Sequence, residues 1–344
     1  MRFNIGYQLP DDNDSISDIV EDFPGSISGV YFAAPGHASA RMSIDMSEEG
    51  LMLEELRYIA DKGIKMTLLY NANCYGDGAC SQELKESVTK TTAKYIDAVG
   101  VSTVTTTSPF IAKSLKKEFK GLRLCASVNM WIGTAQAMRF LESYFDEYYL
   151  QREFNRDFGK IEYLSKWCGQ HGKTLRMLAN SGCLYTCPFH TYHDNLVAHE
   201  KNSPLLGSNS QRFPSPCWSI LEQMNQLDAA AAFLSSSWIR PEDIHNYDKY
   251  FTEVKLATRM HSNPRRVISA YCHGHFHGNM FDLMEPCFSC LFRDDILDAE
   301  LFPTDWFEMT SNCQRNCERC NYCKTAASHM LISKKMLETR YMSV

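Results

Sequence analysis

The chain has no apolar run long enough to span a bilayer, so no membrane association is expected. Its opening residues, Met1-Arg2-Phe3-Asn4-Ile5-Gly6, lack the long apolar segment of a secretory leader. The expected location is therefore cytoplasmic, where thiols stay reduced and disulfides are not expected. Basic charge is not in excess: 35 Lys and Arg stand against 41 Asp and Glu, a net charge of −6. That balance provides no broad field for nucleic acid and makes RNA the less favoured partner. No Gly-x-Ser-x-Gly elbow occurs, so that motif supplies no serine nucleophile. No His-Glu-x-x-His occurs either, which removes the usual zinc-peptidase helix. The first apolar stretch runs into Gln8-Leu9-Pro10-Asp11-Asp12 rather than a glycine-rich turn, which counts against an open dinucleotide-binding sheet.

What the chain has in quantity is cysteine. Fourteen cysteines in 344 residues, without an oxidising address, point to metal or iron–sulfur ligation. The length suits one large domain with an appendage, or two domains, and a 44% hydrophobic content is ordinary for a globular protein.

Short apolar stretches alternate with helical patterns. Strands are expected at Phe3–Gln8, Ser28–Ala33, Lys65–Asn71, Val101–Thr105, Leu122–Val128, Glu147–Arg152, Thr174–Ala179 and Val254–Ala257. Helices are expected between them, as at Ser81–Val99, with Ser81 as cap and Gly100 as stop, and at Pro109–Phe119. Lys201–Pro216, rich in Ser, Asn, Pro and Gly, reads as loop. Eight such units predict an α/β fold, a (β/α)8 TIM-like barrel over residues 1–280 with a long insertion after strand seven. Residues 281–344 read as a cysteine-rich C-terminal extension. In such a barrel, chemistry sits on the loops after the strands. That rule places Cys74, Asn129, Glu153, Cys183 and Cys187 at one mouth.

Two cysteine groups stand out. In Asn180-Ser-Gly-Cys183-Leu-Tyr-Thr-Cys187-Pro, an apolar strand ends in a bend that aims thiols at one point. In Cys313-Gln-Arg-Asn-Cys317-Glu-Arg-Cys320-Asn-Tyr-Cys323, four thiols fall within one loop, a ligand pattern for a four-iron cluster or for zinc. The first three of these have the spacing of radical S-adenosylmethionine enzymes. Their place near the C-terminus and the fourth thiol, which would close the site, argue against that chemistry. Cys287 and Cys290 form a further pair that could join either group or be structural.

The stretch from Asn180 to Pro188 resembles the motif of the peptidase U32 family. Arg152-Glu153, Trp238-Ile-Arg240-Pro-Glu242-Asp243, Lys255-Leu-Ala-Thr-Arg259 and His277-Gly-Asn-Met-Phe-Asp282 resemble other family segments in the same order. At Lys255–Arg259, Ala-Thr stands where the family has x-Gly. The resemblance implies a [4Fe-4S] cluster in the barrel mouth. It also implies oxygen-independent hydroxylation of a small molecule, peptide or RNA base, with a carboxylate such as prephenate as oxygen donor. By position, Cys183 matches the first motif cysteine, and Cys187 and Cys217 match later ligands loosely. Cys74 is the candidate fourth, with Cys272 in reserve. A second [4Fe-4S] cluster, or zinc, is expected on Cys313, Cys317, Cys320 and Cys323. The alternative function is a non-catalytic iron–sulfur or zinc subunit serving a U32-like partner.

Candidate catalytic residues are Arg152, Glu153, His190, His193 and Arg259. The histidines could move a proton or could merely cap loops. Arg152 and Glu153 could bind substrate or form a rim ion pair. Arg240 and Arg259 suit a dicarboxylate through forked hydrogen bonds, or a salt bridge with Glu242 or Asp243. His261, His273, His275 and His277 could ligate a metal or be solvated, while Trp131 and Met177 read as packing.

Overall fold

The computed structural model describes residues 1–11, 14–41, 44–199 and 216–335. The loop expected at Lys201–Pro216 falls on residues 201–215, which lie outside the described residues. Eight strands run parallel in the order β7-β6-β5-β4-β3-β2-β1-β8. They are β1 (Arg2–Gly6), β2 (Ile27–Ala33), β3 (Lys65–Tyr70), β4 (Val101–Thr106), β5 (Arg123–Ala126), β6 (Glu147–Tyr149), β7 (Thr174–Arg176) and β8 (Glu253–Lys255). All seven residues of β2 are buried, because a barrel strand is covered by helices on one face and by the barrel's own core on the other. β8 pairs with β1 (Phe3 opposite Val254) and meets the chain after β7 through a parallel bridge between Leu178 and Lys255. The sheet therefore curls into a nearly closed TIM-like barrel, as the alternation predicts.

The helices between strands follow local signals. In α3 (Gln82–Val99), Val88, Thr92, Tyr95 and Val99 recur at helical spacing and are buried. Ser81 Oγ accepts the Leu84 N–H at 3.0 Å, and Gly100 ends the helix with φ at 66°. Pro109 opens α4 (Pro109–Glu118), where a missing N–H costs nothing. Strands six and seven are shorter than their apolar runs. After Tyr149 the chain turns into a 3₁₀ turn carrying Arg152 and Glu153. After Arg176 it stays extended, bonded to Lys255 through Met177 O and Ala179 N–H.

The insertion after β7 contains α7 (His190–Ala198), α8 (Pro216–Gln223) and α9 (Gln226–Leu234), followed by a 3₁₀ segment at Pro241–Tyr247. Beyond β8, α10 (Pro264–His273) completes the ring. The chain from 279 then folds back over the mouth: Gly182 N–H donates to Glu285 O at 2.9 Å and Glu285 N–H to Asn180 O at 3.1 Å. Residues 281–288, assigned from the sequence to the extension, thus lie against the barrel's cysteine loop. The remainder adds β9 (Asp295–Leu297), α11 (Trp306–Ser311), α12 (Tyr322–Met330) and β10 (Leu331–Ser333), with β9 and β10 antiparallel and α12 packed on α9.

Candidate metal–thiol site at the barrel mouth

Asn180 anchors the loop that carries the first two thiols. Its amide donates to Ala257 O and Leu283 O at 2.9 and 3.0 Å. Gly182 follows because only a residue without Cβ fits: a Cβ there would stand 2.5 Å from Pro286 O. Thr186 turns the loop with φ at 46°. The bend directs Cys183 and Cys187 into a cavity of about 500 Å³, and Cys217 from α8 and Cys287 from the folded-back segment line the same space. Leu184, Val197, Trp218 and Phe288 supply apolar wall.

All fourteen cysteines are free thiols. A hydrogen bond from Cys217 pulls the Cys187 thiol well down from its ordinary value and raises Cys217. Arg152 leans on the same group, donating to Cys183 Sγ and to Ser181 Oγ, both at 3.3 Å. Among the described residues, no three His, Cys, Asp or Glu side chains stand in metal-ligating geometry. The donor set nevertheless fits a soft metal: four thiols face one cavity, with a guanidinium positioned to offset thiolate charge.

His190 opens α7 and is a crossing point of hydrogen bonds. Its Nε2 lies 2.6 Å from Trp131 Nε1, 2.7 Å from Arg152 Nη2 and 2.8 Å from Asp194 Oδ2. A bare Nε2 accepts from the tryptophan and the arginine; a protonated one donates to the carboxylate. Burial opposes the charge on Asp194, but the contact with His190 and the nearby Arg152 and Arg41 together more than offset it and hold the carboxyl below its ordinary range. Asn73 completes the group, donating to Asp194 at 3.1 Å. His193 lines the cavity, and burial lowers its pKa.

Beneath the thiols, a smaller hollow of about 60 Å³ runs into the barrel axis. Arg41, Arg152, Lys255 and Arg259 line it against one carboxylate, Glu285. Arg41 stands 3.7 Å from Glu285, and Arg259 donates to Ser39 Oγ at 3.1 Å while its buried Nε has no partner among the described residues. Lys255 points over the Tyr31 ring at 3.6 Å, and burial, reinforced by Arg259, pushes its amine down to about 7. Such an excess of desolvated cations favours an anionic ligand.

The structure brings together Cys183, Cys187, Cys217, Arg152, His190 and His193, with Arg259 just below. Cys74 is not among the residues lining the thiol cavity; its Sγ accepts the Gly76 N–H at 3.4 Å. Cys272 sits on α10, where burial pushes its thiol up to about 11. Glu153 faces a side hollow with Tyr185 and Ser237, and one of its oxygens has no partner among the described residues. Arg240 makes the salt bridge, with a forked pair of 2.8 Å bonds to Asp243. His273, His275 and His277 are exposed or half-exposed and bond to Ser269, Glu242 and Glu300. His261 is buried at the cavity wall and contacts Asp282 O at 2.6 Å. Trp131, read as packing, instead reaches His190. Sequence reasoning also missed Arg41 and Lys255, and it left Cys287 unassigned; the polar opening of the helix at His190 was the one available hint of the Trp131 contact.

No family model matches the chain. An uncharacterized protease of Methanocaldococcus jannaschii is 24% identical over 285 residues, covering 81% of each chain. The solved U32 peptidase Mk0906 matches with a TM-score of 0.52 at 15% identity, over 74% of this chain and 92% of that one. A phosphoribosylanthranilate isomerase of Thermotoga maritima gives a TM-score of 0.40 at 9% identity, over 79% of this chain and 97% of that one, too distant to add to the reading. No helix among the described residues is long and apolar enough to cross a membrane.

Proposed function

We propose that this chain is a U32-type iron–sulfur redox enzyme, a reading supported by its motif resemblance and by its likeness to an archaeal protease and to a solved U32 peptidase. In this reading it hydroxylates a small molecule or peptide without molecular oxygen, drawing the oxygen atom from a small carboxylate donor of the prephenate kind. The observation that carries the proposal is the convergence of Cys183, Cys187, Cys217 and Cys287 on one cavity directly above an axial hollow rich in cations. These four thiols would hold the cluster, with Cys287 a better-placed fourth ligand than Cys74. A four-iron cluster bound there would supply one-electron chemistry.

The chain's own residues do the rest. Arg41 and Arg259 bind the donor's carboxylate, because guanidinium groups pair with it by parallel hydrogen bonds, and Lys255 adds a single-point amine donor beside them. Arg152 bridges the two levels, touching Cys183 above and lining the hollow below. His190 and Asp194 hold or release a proton at Nε2, beside the thiols. Leu184, Val197, Trp218 and Phe288 exclude water from that space, which strengthens each charge interaction inside it.

The test is anaerobic purification with iron and sulfide analysis and Mössbauer spectroscopy, on the wild type and on Cys183→Ala with Cys187→Ala. Iron and sulfide lost in the double variant support the proposal, and absence of iron from the wild type overturns it. A cluster-bearing protein that turns over only after a second U32-like chain is added would make it a subunit rather than a self-sufficient enzyme.

A further inference from the structure

The tail cysteines do not line the mouth cavity, yet the loop that carries them reaches the mouth's cysteine loop through Arg315. Cys313, Cys317, Cys320 and Cys323 line one cavity of about 450 Å³ beside α9 and the start of α12. Cys323 lies close enough to interact electrostatically with the other three thiols and with Arg156. Cys313 Sγ accepts the Arg315 N–H at 3.3 Å, the kind of backbone bond that orients a ligand sulfur.

Two arginines flank this loop. Arg156 is buried between the rings of Trp238 and Trp306, at 4.8 and 5.2 Å, and among the described residues it bonds to the carbonyl oxygens of Leu234 and Trp238. No carboxylate pairs with it among the described residues, and an uncompensated buried cation is costly. Arg315 lies inside the cysteine loop itself, with φ at 57°, a conformation that strains a residue with a Cβ. Its guanidinium donates to Ser235 O at 2.5 Å and Ser237 Oγ at 3.1 Å, and its Cζ sits 4.3 Å above the ring of Tyr185. Tyr185 is the residue midway between Cys183 and Cys187.

We propose that Cys313, Cys317, Cys320 and Cys323 hold a soft-metal centre of four thiolates, zinc or a four-iron cluster. The loop shaped by that centre braces the barrel's cysteine loop through Arg315 on Tyr185. Four thiolates around a dication leave a dianion, and Arg156 and Arg315 are placed to offset it. Four protein ligands leave no open coordination position, so the centre is structural rather than catalytic. Filling it draws the exposed 313–323 loop inward and fixes Arg315, whose stacking limits the movement of Tyr185 and of the thiols on either side. The proposal does not depend on what the mouth binds.

The experiment uses the full chain prepared anaerobically, with zinc, iron and sulfide measured per chain. Iodoacetamide labelling of Cys183 and Cys187 is followed by mass spectrometry. Replacing all four tail cysteines by serine should remove one metal centre, and the element lost identifies it as zinc or as an iron–sulfur cluster. Arg315→Ala should keep that centre yet label Cys183 and Cys187 several-fold faster, and Arg315→Lys, which keeps a cation over the ring, should recover part of the protection. Cys183→Ala with Cys187→Ala should leave the tail metal in place, which separates this site from the mouth. Full metal content in the four-serine variant overturns the site. Unchanged labelling in Arg315→Ala overturns the brace, and that variant remains informative even where the four-serine chain fails to fold.

Discussion

Asn180 and Ala257 close the barrel: Asn180 Oδ1 accepts the Ala257 N–H at 2.6 Å, and Asn180 Nδ2 donates to the Ala257 carbonyl at 2.9 Å. One side chain thus satisfies both backbone groups of a residue across the seam between β7 and β8, where strand pairing has dwindled to the Leu178–Lys255 bridge. The same amide reaches Leu283 O, which ties the folded-back segment to the seam. Asn180→Ala would leave the buried N–H and carbonyl of Ala257 unpaired, at about 1–3 kcal/mol each. Urea unfolding should show a loss on the order of 3 kcal/mol, as a lower midpoint at unchanged slope. A loss under roughly 1 kcal/mol would mean that the seam holds without this side chain.

Gly182→Ala tests the approach of the two loops. The new Cβ would press on the Pro286 carbonyl, a backbone atom that cannot swing aside, and would also stand 3.1 Å from Phe288 Cε2. The 285–288 segment must then move off the cysteine loop and take Cys287 with it. Bound metal at the mouth should fall while far-ultraviolet circular dichroism stays at the wild-type level. Wild-type metal content in this variant would take Cys287 out of the ligand set.

Arg259→Lys tests the anion hollow. The lysine keeps a charge but loses the planar fork, and the variant removes the buried Nε that has no partner among the described residues. The KM for the carboxylate donor should rise by about tenfold, roughly 1.4 kcal/mol, with cluster content unchanged. Cluster lost together with activity would leave Arg259 a structural residue of the mouth.

Acid stability should report on the opposite end of the barrel. Burial opposes the charge on Glu253, but Arg176, 2.9 Å away, more than offsets it and holds the carboxyl below its ordinary range. A carboxyl with a lower pKa folded than unfolded adds stability that is complete above the unfolded value, about pH 4.3, and is lost as pH falls through the folded value. The urea midpoint should therefore drop on acidification below about pH 4. Glu253→Gln should flatten that drop, and an equal slope in both proteins would place the acid sensitivity elsewhere. Arg176→Met should cost about 3–5 kcal/mol at neutral pH, since Glu147 and Glu253 both lose the cation between them.

The order of strands and helices was legible in the sequence because it rests on local signals. Apolar runs such as Lys65–Tyr70 and stops such as Gly100 act within one or two turns of chain. The Asn180–Cys187 stretch and the tail spacing were legible for the same reason. The Arg240–Asp243 salt bridge, three residues apart, was among the readings open from the sequence alone. What tertiary structure decided lies far apart in the chain. Cys287 joins the mouth because Gly182 admits the Pro286 carbonyl, a contact over a hundred residues away that no spacing announces. Trp131 reaches His190 across 59 residues, and Arg315 reaches Tyr185 from the far end of the chain. Lys255 reads as one residue of a half-buried strand until closure of the barrel places it among Arg41, Arg152 and Arg259. Residue periodicity specifies which face of an element is buried; only the folded chain specifies which distant charges and thiols share that burial.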